Sequence, residues 1–360
     1  MRLRQLDVLR AFAVLLVMIR HLNEGKDNPA MLALVAQVNR APTELAHLPE
    51  LVVRLLYRMG WAGVDLFFVL SGFLVSGLLF REHQQRSAVR VGRFLIRRGF
   101  KIYPMFYLFL LSTLLAIGLF TTRKLSLPAI VCEVLFIQNY GPNMWGHTWS
   151  LAVEEHFYLL LGLLLFVLSR RQRVGLVPRL FPLVALGFLA ARVATTLLVP
   201  EFDFKTHVFA THLRLDALFY GVALSYLWYF ERPRLAFAEQ GAARPLLLLG
   251  GLLLFAPACF WKQDNPWMRT IGLSGLSLGG AMLVLWAMSG PPVASRLLAT
   301  SPTASPRWAS TRTPSTSGTY RCSSSAFRSQ ARSRARSLAS PSGSSASSSS
   351  TSQGRLAWQS

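Results

Sequence analysis

Arg10 and His21 lie eleven positions apart near the start of a 360-residue chain. Three helical turns take about 10.8 residues, so a helix puts both side chains on one face, roughly 16 Å apart along its axis. A cation near one membrane edge and an imidazole deeper in, or toward the far side, suit charge binding and proton abstraction. Histidine is the usual general base near neutral pH. An interfacial histidine beside a snorkelling arginine gives the same spacing.

Further along, Asp65 sits in Gly63-Val64-Asp65-Leu66-Phe67-Phe68-Val69-Leu70-Ser71-Gly72-Phe73. Ser71 and Gly72 share its helical face, and small residues there permit close helix packing. Asp65 is either a functional carboxylate or a structural partner for an arginine. Glu154 and Glu155 follow Trp149-Ser150-Leu151. Ser150 reads as an N-cap, and acids suit the positive end of the helix dipole. Adjacent residues point about 100° apart, so only one of the two acids need face a cavity. His207, Thr211, His212, Arg214 and Asp216 form a last cluster. The two histidines are five apart rather than four, which argues against a helical metal pair, and no metal site is expected. P-loop, GxGxxG, GxSxG and HExxH motifs are absent.

These residues lie in or beside strongly apolar segments. The chain is 52% hydrophobic and only 15% charged, against roughly 25% charged for a soluble domain. Its mean hydropathy is +0.38. Disorder throughout is excluded, and an ordinary soluble enzyme is a poor fit. Membrane-length apolar stretches recur at 61–80, 102–120, 154–168, 180–199, 208–230, 245–261 and 271–289. Segment 6–22 reads as a retained first helix, because no small-residue cleavage site follows it. Segment 128–139 is too short to span, and fits a re-entrant or interfacial piece. Three cysteines without a CxxC give neither a disulfide framework nor a zinc site.

Among the loops read between these stretches, 81–101 carries seven basic residues against Glu82 alone, 170–179 carries four arginines and no acid, and 22–60 is balanced, with four basic and four acidic residues. The positive-inside rule then places the N-terminus, 81–101, 170–179 and 231–244 in the cytoplasm. The same placement accounts for much of the net charge of +22 without invoking nucleic acid. Residues 301–360 differ in kind, with 21 serines, eight arginines and no Asp, Glu or Lys. They read as a disordered basic tail. Taken together, the residues describe a polytopic membrane protein with a polar interior, which fits an enzyme or a transporter.

Five segments resemble the membrane-bound acyltransferase 3 family in the family's order. They are Leu6-Asp7-Val8-Leu9-Arg10-Ala11-Phe12-Ala13-Val14 ending in His21, Gly63–Phe73, Arg93–Arg98 followed by Ile102-Tyr103-Pro104, Trp149–Tyr158, and Arg214–Leu218 with Gly221. Departures are Val8 where the family has Gly, His156 where it has Gln, and Lys101 where it has Arg. The resemblance implies an all-α polytopic membrane bundle of about eight to ten transmembrane segments over residues 1–290. It also implies transfer of an acyl group, often acetyl, from cytoplasmic acyl-CoA to a hydroxyl of an extracytoplasmic glycan such as lipopolysaccharide. Residues Arg10 and His21 match the family's catalytic Arg-x10-His pair, with Glu154 expected to orient the histidine or the sugar. Arg97, Arg98 and Lys101 are expected to meet the phosphates of acyl-CoA. Asp65, Ser71, Tyr103, Trp149, Ser150, Glu155, Arg214 and Asp216 are expected at the substrate. The expected partners are acyl-CoA (acetyl-CoA) as donor substrate, a glycan or lipid-linked sugar, and membrane lipids in a bacterial inner membrane. No bound cofactor and no nucleic acid are expected. The alternative is an exporter of a glycan or lipid precursor.

The resemblance fails at the C-terminus. Members end in a helix with a Ser-Tyr-Ser-Ile-Tyr-Leu-Trp-His-like motif, whereas Arg312–Thr319 stands here. Reading the possible codons of those eight residues one base earlier permits Ser-Tyr-Ser-Ile-Tyr-Leu-Trp-His. A frameshift between about residues 290 and 306 is therefore expected, with 291–360 in place of the last family helix and the activity of this form in question.

Overall fold

The computed structural model describes residues 4–21, 48–122 and 125–290. The tail at 291–360, with the frame change read there, lies outside the described residues, as does most of the charge-balanced loop after His21. Among the described residues there are helices and turns but no strand.

Helix α1 (Arg4–His21) and α2 (Leu48–Met59) precede a short turn that opens α3 (Gly63–Arg86). Next come α4 (Val91–Phe120), α5 (Leu127–Val134) and α6 (Trp149–Arg170). The chain continues through α7 (Val177–Leu198), α8 (Leu215–Phe230) and α9 (Ala243–Phe255). It closes with α10 (Pro257–Phe260) and α11 (Leu273–Met288).

Six helical stretches are long and apolar enough to cross a membrane: Arg54–Arg86, Val91–Phe120, Gly146–Arg170, Val174–Leu198, Ala243–Phe260 and Met268–Met288. The sequence reading expects eight clear spans. Of the two others, α1 carries Arg4, Asp7, Arg10 and Arg20, and α8 has only 16 residues. Both still pack along α3. The protein is an all-helical, multi-pass membrane protein.

Helix α3 is apolar on every side and buried on most of them, as expected of a helix at the centre of a bundle. Its 24 residues extend about 36 Å, enough to cross a hydrocarbon core of about 30 Å. Helix α8 lies directly against it. A Cβ at Gly72 would run into the Leu218 carbonyl, and one at Gly221 into the Val69 carbonyl. The two backbones touch at these glycines, which is how small residues bring membrane helices together. Helix α1 docks in a similar way, since a Cβ at Gly60 would lie 2.6 Å from the Leu16 carbonyl oxygen. On the periphery, α4 exposes Phe100, Leu108, Leu115 and Leu119, and α7 exposes Leu183, Leu186 and Leu197. These apolar surfaces have lipid as their natural solvent.

Three local expectations are revised. Segment 81–101 is helical except for a short break. Ser87 takes a left-handed conformation (φ 52°) that ends α3, and α4 begins at Val91. Ser150 is not the N-cap. Helix α6 begins at Trp149 after Thr148, whose hydroxyl is engaged by Glu133 and Trp145. Segment 208–230 becomes α-helical only at Leu215, because tight and wide turns occupy 205–213. The Leu213 carbonyl there accepts a hydrogen bond from Arg192 at 2.9 Å.

Candidate active site

At one end of α3 a cavity of about 410 Å³ opens between its last turns and the first turns of α4. Arg81, Arg86, Arg93, Arg97, Arg98 and Lys101 line it, with Glu82 as the acid. Positions 93, 97 and 101 recur every four residues, so one face of α4 presents all three cations. Such a wall concentrates field and attracts a polyanion.

Arg98 leads inward. Its guanidinium carbon lies 5.2 Å from the centroid of Tyr158. The Tyr158 hydroxyl donates to Glu154 Oε2 at 3.1 Å, one helical turn away. Ser71 also bonds Glu154, and the charges of Arg98 and Arg10 act on the same carboxylate. Arg10 lies 6.0 Å from the Phe67 ring centroid, and its buried Nε has no hydrogen-bond partner among the described residues. Glu155 points elsewhere and accepts from the Tyr103 hydroxyl at 3.0 Å. The two adjacent acids thus serve different neighbours, as their offset around α6 requires. Glu154 shares its surroundings with Arg10, whereas His21 sits three turns further along α1.

At the opposite end, His21 lines a cavity of about 280 Å³ with Trp61, Val64, Trp149, Phe209 and Gln263. The His21 and His147 rings meet edge-on at 6.2 Å. Trp149 stacks on Phe209 at 4.9 Å. Glu133 on α5 holds the loop that brings these groups in. Its Oε1 accepts from the Met144 and Trp145 amides at 3.1 and 3.3 Å and from the Thr148 hydroxyl at 3.0 Å. Val64 borders the histidine cavity and Leu79 the basic one. They are 15 residues apart on α3, or about 22 Å.

Asp65, Arg214 and Asp216 stand in buried ion pairs within the bundle. Arg214 pairs with Asp65 at 2.9 Å, and Arg192 pairs with Asp216 at 2.8 Å, all four nearly solvent-free. Arg192 also donates to Ser274 Oγ at 2.5 Å. Arg214 lies 5.4 Å from the Trp149 ring centroid, so the pair supports the wall of the histidine cavity from behind. Asp65 thus has an arginine partner, the contact that its structural alternative requires. Arg192, Glu133, His147 and Tyr158 were not singled out in the sequence. The signal for the first two was available, since each is an isolated charge in an apolar segment. His147 and Tyr158 carried no such signal. Among the described residues, no group of three or more His, Cys, Asp and Glu side chains could hold a metal ion.

A basic cavity and a histidine cavity thus lie at opposite ends of α3 in a multi-pass membrane bundle, with buried ionisable residues between them. The chain belongs to the acyltransferase 3 family, whose sequence profile, described as an acyltransferase domain, matches residues 3–302. It is similar to the peptidoglycan O-acetyltransferase OatA of Listeria monocytogenes, with 27% identity over 276 residues, covering 70% of this chain and 43% of that protein. It is also similar to a Bacillus subtilis protein named "Putative peptidoglycan O-acetyltransferase YrhL", with 26% identity over 330 residues, covering 85% of this chain and 46% of that protein. The chain therefore spans less than half the length of these curated relatives. No solved structure matches it.

Proposed function

We propose that this chain is a membrane O-acyltransferase that takes an acyl group, acetyl in the first instance, from cytoplasmic acyl-CoA. The acceptor is a hydroxyl of an extracytoplasmic glycan, for which the relatives' names suggest peptidoglycan. The observation that carries this reading is the placement of a six-cation cavity and a histidine cavity at opposite ends of α3. Phosphates of the donor bind Arg93, Arg97, Arg98 and Lys101 through charge-assisted contacts. Its acyl arm runs inward past Tyr158, Glu154 and Arg10. His21 takes the proton of the acceptor hydroxyl as the oxygen attacks the thioester carbonyl. The new C–O bond forms, the C–S bond breaks, and the CoA thiolate leaves and is protonated. The basic residues at the α3–α4 end support an orientation with the N-terminus in the cytoplasm, in a bacterial inner membrane.

Membranes carrying the chain are incubated with labelled acetyl-CoA and cell-wall glycan. Label transfer is expected to fall about 10²–10⁴-fold in His21→Ala, the usual worth of a general base. Glycan export that needs no CoA and survives His21→Ala would sink this reading in favour of the exporter. The family match ends at residue 302, inside the window of about 290–306 where the frame is proposed to shift. Resequencing tests the lesion, and transfer is expected to rise once the frame is restored.

A further inference from the structure

A larger cavity, about 620 Å³, opens beside the histidine cavity. The two share Arg20, Trp61, Phe204 and Gln263 in their linings, so they lie side by side. Its volume is more than twice that of the histidine cavity and lies in the range typical of small-molecule sites. Aromatic rings dominate the lining, among them Tyr57, Trp61, Phe202 and Trp261. Flat aromatic faces suit the C–H faces of pyranose rings, while adjacent polar groups suit hydroxyls. Cys259 also lies in this wall.

Its charge is the second clue. Arg20, Arg58 and Lys262 outnumber Asp264. In the proposed orientation this is the non-cytoplasmic end, where the positive-inside rule disfavours basic residues. Three cations gathered there against that rule call for an anionic occupant.

We propose that this cavity is the acceptor subsite and takes an anionic saccharide. Neighbouring sugar units stack on Trp61 and Trp261, Arg58 and Lys262 meet a carboxylate or phosphate, and one hydroxyl is delivered to His21. The assignment rests on the acyltransferase reading for its purpose, but not for its test.

The full chain is purified into lipid nanodiscs, and binding is followed by equilibrium dialysis. The probes are the carboxylate-bearing disaccharide N-acetylglucosaminyl-N-acetylmuramic acid, N-acetylglucosamine 1-phosphate, and neutral chitobiose. Saturable binding of an anionic probe is expected, with chitobiose weaker by about tenfold or more. Whichever anionic probe binds identifies carboxylate or phosphate as the recognised group. Trp261→Ala is expected to weaken binding about tenfold, as loss of a central aromatic contact does, and Trp261→Phe to recover most of it. Arg58→Gln with Lys262→Gln is expected to erase the preference over chitobiose. Trp267, exposed nearby but outside the cavity lining, is the control for a general aromatic belt, and Trp267→Ala is expected to bind normally. The proposal is overturned if no probe saturates, if chitobiose binds as well as the anions, or if Trp267→Ala costs as much as Trp261→Ala. Saccharide binding without His21-dependent acetyl transfer would retain the subsite and reject the acyltransferase reading. Transfer unaffected by Trp261→Ala and by the double glutamine variant would do the reverse.

Discussion

Arg192 and Arg214 are each committed to one carboxylate in a nearly solvent-free interior. Removing one partner strands a buried charge, which costs about 3–5 kcal/mol. Asp65→Ala is therefore expected to lower the unfolding temperature in detergent sharply, and Asp65→Ala with Arg214→Leu to recover much of the loss. An unchanged melting curve for Asp65→Ala would contradict the framework role. Glu133 acts through its loop. Glu133→Ala is expected to lower kcat about 10²-fold with KM for acetyl-CoA little changed, because misplacing a reacting group by about 1 Å costs that much. Outside the spans, Asp203 accepts from the Thr206 amide at 3.0 Å, and that bond holds its carboxyl below the usual carboxylate range. The stabilisation is present above the ordinary Asp value of about 3.9 and lost as pH falls through the lowered one. Asp203→Asn is thus expected to cost a little stability at neutral pH and nothing in strong acid, as thermal melts at the two pH values will show. Arg10 and His21 were legible as a pair because helical spacing alone aligns them. Of their neighbours, Glu154 was expected through the family resemblance and His147 was not expected at all, because both come to them across the bundle from distant positions.

Helices α3 and α8 meet through Gly72 and Gly221, where any side chain would strike the opposing backbone. Gly221→Ala is expected to push the helices apart and cost about 1–3 kcal/mol, the usual range for overpacking. It should also loosen the Asp65–Arg214 pair that crosses the same interface. Detergent melting checks the first, and cysteine crosslinking across the pair checks the second. Apolar runs revealed most helices in the sequence, since length and hydropathy are local properties. The start of α8 was misread because tertiary contacts set it: Arg214 turns toward Asp65, and Arg192 takes the Leu213 carbonyl, leaving 205–213 in tighter and wider turns. The basic segment 81–101 looked like a loop because charge density suggests solvent. Most of it belongs to the last turns of α3 and the first turns of α4.

The charge of the whole chain has two sources. Residues 301–360 supply eight arginines and no acid, leaving 22 − 8 = +14 for residues 1–300. Much of that remainder gathers at the α3–α4 end, so orientation has a direct test. Ser87→Cys is expected to react with an impermeant maleimide only in inverted vesicles, and Asn265→Cys only in intact cells. The reverse pattern would invert the whole arrangement. The larger aromatic cavity also carries its own chemical probe. Cys259 is a half-buried free thiol in its wall, while Cys132 lies against Gly141, away from it. Alkylation kinetics at these two of the chain's three native cysteines then form an internal clock: a bound saccharide should slow the reaction at Cys259 and leave the rate at Cys132 unchanged, so occupancy becomes measurable in unmodified protein.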